Sequence, residues 1–160
     1  LIFAPTFDDR PPYSSKYALN VLITVGGSDI SELTFRVVNT LKKAQWGDIA
    51  FHVILGPGFK TPDSIYSTVK KEKSNIMVHM NPEYIYPYLH HADLAICAGG
   101  RTLYELHIMK TPTFAISTIP HEIPVLREFL EHKLIMDGMT EWNSRKFVNK
   151  LAAILSRLAV

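Results

Sequence analysis

Two glycine pairs stand beside the residues with the clearest capacity for chemistry. In VGGSDISE, at 25–32, two glycines follow an apolar run, and Ser28 or Asp29 can cap the helix that comes next. In AGGRTLYE, at 98–105, two glycines again follow an apolar run, and Thr102 can cap. A helix start leaves N–H groups free at its positive dipole end, and glycine lets a ligand approach the backbone. Each stretch therefore predicts a phosphate-binding corner.

The same residues also have a purely structural interpretation. Asp29 with Glu32, and Thr102 with Glu105, each match the spacing of a capping box. In a capping box the acid closes the helix end, and no ligand is needed. For one corner alone the spacing favours this interpretation. The presence of two corners favours a ligand only if the fold brings them together.

The elements that would position these corners follow from the alternation of apolar runs with helix-like segments. The predicted strands are 20–25, 50–55, 75–80, 93–98, 111–116 and 133–136. The predicted helices are near 31–44, 62–73, 83–91, 102–109, 122–131 and 143–158. Continuous apolar strands are typical of a sheet buried on both faces. The pattern predicts an α/β fold with a doubly wound, Rossmann-like parallel sheet of about six strands.

This topology brings the two corners to one crevice. In the strand order 3-2-1-4-5-6, strands 1 and 4 are neighbours, and ligands bind outside their carboxyl ends. Neither corner reads GxGxxG, and Gly56-Pro57-Gly58 stands where a dinucleotide site would carry its acid. The sequence therefore indicates a nucleotide diphosphate rather than a dinucleotide, with no cofactor and no metal-ligand motif.

Composition sets limits on the other classes of function. The 160 residues suffice for one domain, and 47% of them are apolar. A net charge of +2, from 17 basic and 15 acidic residues without a basic stripe, gives no basis for a nucleic-acid partner. The lone cysteine, Cys97, rules out an internal disulfide and favours a cytoplasmic location. No apolar segment reaches the length that spans a membrane.

The start of the chain differs in character from the remainder. Residues 1–19 are rich in Pro, Ser and Tyr and show no clear period. We interpret them as a linker from a missing N-terminal domain, and 20–160 as the nucleotide-binding domain. His52 and Cys97 lie inside predicted strands, where core packing explains them better than catalysis.

Several segments together resemble a known family over about residues 20–130. They are GGSD at 26–29 with Leu33-Thr34, VILGPG at 53–58, NIMVHM at 75–80, and HHADLAICAGGRTLYE at 90–105 followed by Thr111-Pro112. This order and spacing resembles the C-terminal half of GT-B nucleotide-sugar enzymes. It is most similar to the UDP-sugar hydrolases of pseudaminic acid synthesis and their spore-coat polysaccharide relatives, and then to MurG-type family 28 glycosyltransferases.

The resemblance implies a substrate site. Its residues would be Gly27, Ser28, Met80, Gly99, Gly100, Arg101, Thr102, Glu105, His121 and Glu122. The loop after strand 4 would lie against the diphosphate, Glu105 would hold the ribose hydroxyls, and the turn at Met80 would meet the uracil edge. Gly27 and Ser28 would face the sugar and the partner domain.

Two positions depart from the family pattern. Such families usually carry Ser or Ala where this chain has Arg101, whose guanidinium can pair with a phosphate or point to solvent. An Asn-Gln pair that normally contacts the sugar appears here as His121-Glu122. Either residue can still hydrogen-bond a hydroxyl, but the identity of the sugar is left open.

The resemblance implies the UDP-sugar-binding domain of a nucleotide-sugar hydrolase in polysaccharide or nonulosonic acid biosynthesis. A donor-binding domain of a family 28 glycosyltransferase, a non-enzymatic binding subunit and a ligand-free structural domain are the alternatives. In these hydrolases a histidine of the N-terminal domain activates water, so no catalytic residue is assigned here. The expected partners are UDP or a UDP-sugar and the missing N-terminal domain or a catalytic subunit, and the chain alone is expected to be inactive.

Overall fold

The computed structural model describes residues 11–14, 16–60, 62–70 and 75–159. The strands are β1 (Leu19–Thr24), β2 (Ile49–Leu55), β3 (Ile76–Met80), β4 (Leu94–Ala98), β5 (Thr113–Ile116) and β6 (Asp137–Met139). The helices are α1 (Leu33–Leu41), α2 (Pro62–Lys70), α3 (Tyr86–His91), α4 (Arg101–Ile108), α5 (Ile123–Glu131) and α6 (Ser144–Leu158). A 3-10 turn, Pro120–Glu122, leads into α5.

The six strands form one parallel sheet in the order β3-β2-β1-β4-β5-β6. The predicted fold class and the predicted strand order are both confirmed. The order reverses between β1 and β4, which are paired with Ile23 opposite Ile96. The carboxyl ends of these two strands therefore open at the switch point, where a doubly wound sheet binds its ligands.

Side-chain alternation divides the core between the two faces of the sheet. In β1, Val21 and Ile23 pack on the face covered by α1 and α6, and Leu22 packs on the opposite face. In β4, Ile96 shares the first face, whereas Cys97 lies on the second. Successive strand residues point to opposite faces, so a continuous apolar run fills both layers.

The last strand is not where the sequence predicted it. We predicted a strand at 133–136, but β6 is Asp137–Met139. The backbone N–H of Lys133 donates to the carbonyl of Leu130 at 3.1 Å, and that of Leu134 donates to the carbonyl of Phe129 at 2.9 Å. These residues close the end of α5, because its last carbonyl groups need donors that the helix cannot supply.

The amphipathic helix predicted near 143–158 is confirmed as a packing helix. The Asn143 side chain accepts a hydrogen bond from the N–H of Lys146 at 2.9 Å and so caps α6. Phe147 and Leu151 are fully buried on one face of the sheet, and the Phe147 ring stacks against Phe114 with centroids 5.7 Å apart.

Part of the predicted linker packs on the domain. Residues 1–10 and 15 lie outside the described residues. The hydroxyl of Tyr13 donates to the carbonyl of Tyr88 at 2.6 Å, and its ring centroid is 4.4 Å from that of His52. The segment just before β1 is therefore held against the second face of the sheet.

His52 is a buried strand residue, as predicted, with a relative exposure of 3%. Its Nδ1 lies 3.0 Å from Nε2 of His79, and its Nε2 lies 3.1 Å from Oδ1 of Asn20. Burial, with a smaller contribution from His79, lowers the pKa of His52 from 6.5 to about 4. Burial also lowers the pKa of His79. The packing therefore requires neutral imidazoles.

This requirement predicts a pH-dependent loss of stability. As the pH falls from 6.5 to about 4, the unfolded chain takes up a proton at His52 before the folded chain does. Stability present above pH 6.5 should therefore decrease through this window, as measured by urea unfolding at a series of pH values. His52→Gln should flatten the dependence, and His90→Gln at an exposed position should not. Equal slopes in all three proteins would contradict the prediction.

Candidate functional site

The first glycine corner is an open loop after β1. Gly26 has φ +99°, a backbone conformation that favours glycine. Gly27 is exposed, and a Cβ placed on it would meet no atom within 4 Å. Its carbonyl accepts from the N–H of Gly58 at 2.8 Å, and a Cβ on Gly56 would lie 2.7 Å from the carbonyl oxygen of Gly26. The glycines after β2 thus let the two loops pack together and leave Gly27 accessible.

Asp29 caps α1, although not through the predicted capping box. Its Oδ1 accepts from the N–H of Leu33 at 2.9 Å, and its Oδ2 accepts from the N–H of Thr34 at 2.6 Å. Glu32 stands directly before the helix with φ +55° and makes no side-chain capping bond. The capping role of Asp29 is confirmed, and the reciprocal role of Glu32 is wrong, because α1 begins only at Leu33.

The second corner leaves the start of α4 without a side-chain cap. Gly100 is the N-cap residue, and the predicted cap at Thr102 is wrong because Thr102 already lies in the first helical turn. The capping-box interpretation of Thr102 and Glu105 is therefore wrong as well. The first N–H groups of a helix have no intrahelical acceptor, so those of Arg101 and Thr102 can serve a ligand.

Thr102 and Glu105 lie three positions apart on α4 and so share one face of the helix. The Glu105 carboxylate is half-buried and makes no hydrogen bond or ion pair with the described residues. Arg101 is exposed, and its guanidinium also has no partner in the part of the chain that the structure describes. This end of α4 presents N–H donors, a cation, a hydroxyl and a free carboxylate.

Glu122 enters this corner from the 3-10 turn before α5. It is 7% exposed, and its Oε2 accepts from the N–H of Thr118 at 2.6 Å and from the Thr118 hydroxyl at 2.9 Å. A Cβ on Gly99 would lie 2.8 Å from the Cβ of Glu122. Glu122 can therefore pack closely against position 99 because glycine has no side chain there.

The two corners meet in one cleft of about 430 Å³ at the carboxyl ends of β1 and β4. Seven of the ten predicted site residues line it, namely Gly27, Ser28, Gly100, Arg101, Thr102, Glu105 and Glu122. Gly99 lies just behind this lining, buried against Glu122. Met80, at the end of edge strand β3, and the exposed His121 are not brought into the cleft.

Six further residues line the cleft, of which Val25, Gly26 and Ala98 belong to the two corners and Ile30, Thr118 and Ile119 were not predicted. Thr118 and Ile119 follow β5, and Ile30 lies in the loop after β1 with a relative exposure of 88%. The available signal was the Ser117-Thr118 pair directly after an apolar strand adjacent to β4. Polar residues at that position meet the same edge of a parallel sheet.

The lining of the cleft offers backbone N–H and hydroxyl donors, the guanidinium of Arg101 and the carboxylates of Glu105 and Glu122. Among the described residues, no group of three or more His, Cys, Asp or Glu side chains is placed to hold a metal ion. Cys97 is fully buried in β4, and burial together with the Glu122 charge raises the pKa of its thiol.

In the described part of the chain, no helix has both the length and the apolar character needed to cross a bilayer.

Comparison with known proteins agrees with this geometry, although no family model matches the chain. In sequence, the chain is 25% identical over 140 residues to the spore coat polysaccharide biosynthesis protein SpsG of Bacillus subtilis (strain 168). The aligned region covers 86% of this chain and 41% of SpsG. In structure, it is similar to MurG of Acinetobacter baumannii, with a TM-score of 0.68 and 18% identity over 92% of this chain and 45% of that one. This is the fold of a GT-B domain.

A second similar structure is the UDP-GlcNAc 2-epimerase from Neisseria meningitidis, solved bound to UDP-GlcNAc. It matches with a TM-score of 0.60 and 12% identity over 91% of this chain and 39% of that one. The SpsG-like and MurG-like resemblance predicted from the sequence is confirmed. The chain spans less than half the length of SpsG and of MurG.

Proposed function

We propose that this chain is the nucleotide-sugar-binding domain of a GT-B enzyme of polysaccharide or nonulosonic acid biosynthesis, with UDP-sugars as its ligands. The observation that carries the proposal is the 430 Å³ cleft, in which the uncapped start of α4, Arg101 and Glu105 face the open loop at Gly27. It offers phosphate donors and a ribose acceptor within one volume.

The nucleotide would lie along the start of α4. Its diphosphate would accept from the N–H groups of Arg101 and Thr102, with the guanidinium of Arg101 as counter-charge. Glu105 would accept from the vicinal ribose hydroxyls, for which a carboxylate has sufficient acceptor capacity. The sugar would then lie between Gly27 and Glu122, on the side of the cleft away from Glu105. We propose in addition that the base reaches the turn at Met80.

The compared proteins support this assignment through their own names. SpsG is described as a spore coat polysaccharide biosynthesis protein, and the epimerase was solved with UDP-GlcNAc bound. Within this group we propose a UDP-sugar hydrolase, on the GGSD and AGGRTLYE segments, and keep the donor-binding domain of a family 28 glycosyltransferase as the alternative. Water activation or acceptor binding would fall to another domain, because the cleft holds no histidine among its lining residues.

Titration with UDP tests the proposal directly. Amide shifts should concentrate at 26–29, 80–82 and 99–105, with a Kd of about 0.1–1 mM because a facing domain would supply the remaining contacts. A matched titration with inorganic phosphate should shift only the start of α4. Shifts centred on the amino ends of the strands, or none at millimolar UDP, would refute the proposed function.

A further inference from the structure

A second cavity adjoins the cleft on the side of β5 and β6. It measures about 240 Å³ and shares Thr118 and Ile119 with the cleft. The first turn of α1 contributes Arg36 to its lining, and the loop after β6 contributes Glu141 and Trp142. Because both cavities lie at the carboxyl ends of the strands, a group bound here would lie beside whatever occupies the cleft.

Trp142 has a structural role that accounts for only part of its surface. It directly precedes Asn143, the N-cap of α6, and its ring centroid lies 5.1 Å from that of Phe147. This is the arrangement of a hydrophobic staple, in which the residue before the cap packs against the fourth helical residue. The staple fixes the indole, yet Trp142 stays half-buried and lines the cavity. The cavity therefore has a rigid aromatic side.

One positive and one negative side chain line the same cavity. Arg36 and Glu141 are both exposed, and within the described ranges neither charged group makes an ion pair or a hydrogen bond, with each other or with any other residue. The hydroxyls of Ser31 and Thr140 also belong to the lining. The cavity thus combines strong donors with a strong acceptor, and its lining carries no net charge.

This combination restricts the chemistry of a ligand. A phosphate would be attracted by Arg36 and repelled by Glu141, and an amine would meet the reverse. A neutral ring with several hydroxyls suits both charges, since each hydroxyl can accept from the guanidinium or donate to the carboxylate. Its C–H face would pack on the indole of Trp142. The volume is below the roughly 300 Å³ at which pockets for drug-sized ligands begin, so it suits a single small ring.

We propose that the cavity bounded by Arg36, Glu141 and Trp142 is a second carbohydrate subsite, which takes one neutral sugar residue beside the nucleotide cleft. The ring stacks on Trp142, and Arg36 and Glu141 hydrogen-bond its hydroxyls. Because the two cavities have only Thr118 and Ile119 in common, a nucleotide and a separate sugar can bind together. This inference goes beyond the proposed function and depends on the second cavity alone.

Trp142 itself reports binding. The chain has two tryptophans, and Trp46 lines a different cavity, near the first residues of β1 and β2. In Trp46→Phe, titration with methyl β-glucopyranoside should therefore change the fluorescence of Trp142 saturably. We expect a Kd of about 1–10 mM, because a single ring makes few contacts. Sorbitol, an acyclic polyol, should give no saturable change at equal concentrations. The indole N–H signal of Trp142 in the wild-type chain gives the same result without a substitution.

Two variants and two matched controls locate the sugar. Arg36→Gln and Glu141→Gln should each weaken binding of the glycoside about tenfold, the scale of one charged hydrogen bond. Arg127→Gln and Glu128→Gln change the net charge equally at exposed positions on α5, and should leave its Kd unchanged. Binding that both variants at the cavity leave unchanged would overturn the proposal, as would no saturable signal at about ten times the expected Kd.

A titration in the presence of saturating UDP separates this proposal from the proposed function. The glycoside should bind with the same Kd whether or not the cleft is occupied. Competition between the two ligands would place the glycoside in the cleft and would overturn the second subsite. Absence of UDP binding to a chain that still binds the glycoside would instead overturn the proposed function and support this site.

Discussion

Replacing Gly99 with alanine is expected to lower the free energy of unfolding by about 1–3 kcal/mol, the usual cost of overpacking a buried site. The new Cβ would lie 2.8 Å from the Cβ of Glu122 and 3.4 Å from its Cγ and Cδ. Glu122 cannot retreat easily, because it is 7% exposed and its Oε2 is held by the N–H and hydroxyl of Thr118. Urea unfolding monitored by circular dichroism measures the change.

Gly27→Ala is the matched control from the other glycine corner. A Cβ on Gly27 meets no atom within 4 Å, and its φ is outside the left-handed region. The substitution should leave stability unchanged or raise it by about 0.4–1 kcal/mol, because alanine restricts the unfolded chain. Only the substitution at Gly99 should therefore lower the free energy of unfolding. A Gly99→Ala protein as stable as the wild type would show that the contact with Glu122 is readily relieved.

This pair of variants separates two reasons for a glycine at a corner, namely access for a ligand and close packing of another side chain. The sequence assigned both glycine corners to a ligand, and for the exposed Gly27 the structure leaves that interpretation open. At Gly99 the space is taken by Glu122, a residue of a different loop. Sequence spacing cannot reveal such a contact, because it depends on how the turn before α5 folds back over the end of β4.

The sheet was predictable because each strand satisfies two core layers at once. The apolar runs of β1, β2 and β4 are buried along nearly their whole length. The same run of apolar residues therefore predicted both where each strand lies and that it belongs to a sheet buried on both faces. The strand at 133–136 was wrong for a related reason. Those residues are apolar enough for a strand, but a positive φ at Lys133 and hydrogen bonds from Lys133 and Leu134 back to α5 commit the first two to a helix end. Only Met136 reaches the sheet, where its N–H donates to the carbonyl of Thr113.

The site was predictable where it follows β1 and β4, and less so elsewhere. Gly27, Arg101 and Glu105 line one cleft because the switch point between these strands brings their carboxyl ends together. Thr118 was missed because a threonine after a strand is common in turns and carries no distinctive spacing. The role of Glu122 against Thr118 depends on distances between two loops, which no local pattern encodes.

Glu105→Gln is expected to weaken the binding of UDP by about 1–3 kcal/mol, the cost of losing a charged hydrogen bond to the ribose. The structure removes the competing interpretation, since α4 begins at Arg101 with Gly100 as N-cap and Glu105 closes no capping box. The carboxylate has no partner among the described residues that the substitution would break. Stability should therefore stay within about 0.5 kcal/mol of the wild type, as for most substitutions without buried contacts.

A ligand that lacks the ribose hydroxyls completes the test of Glu105. The wild-type chain should bind UDP about 5- to 150-fold more tightly than 2′,3′-dideoxy-UDP, the same free energy expressed as affinity. In Glu105→Gln the preference for UDP should fall markedly, because the amide keeps one acceptor oxygen but loses the charge and the second acceptor. Glu128→Gln removes the same charge at an exposed position on α5 and should retain the wild-type preference. Amide-shift titrations of the three proteins give all six affinities. If Glu105→Gln kept the full preference for UDP, the ribose would have to lie against another group, and the orientation of the nucleotide along α4 would be wrong.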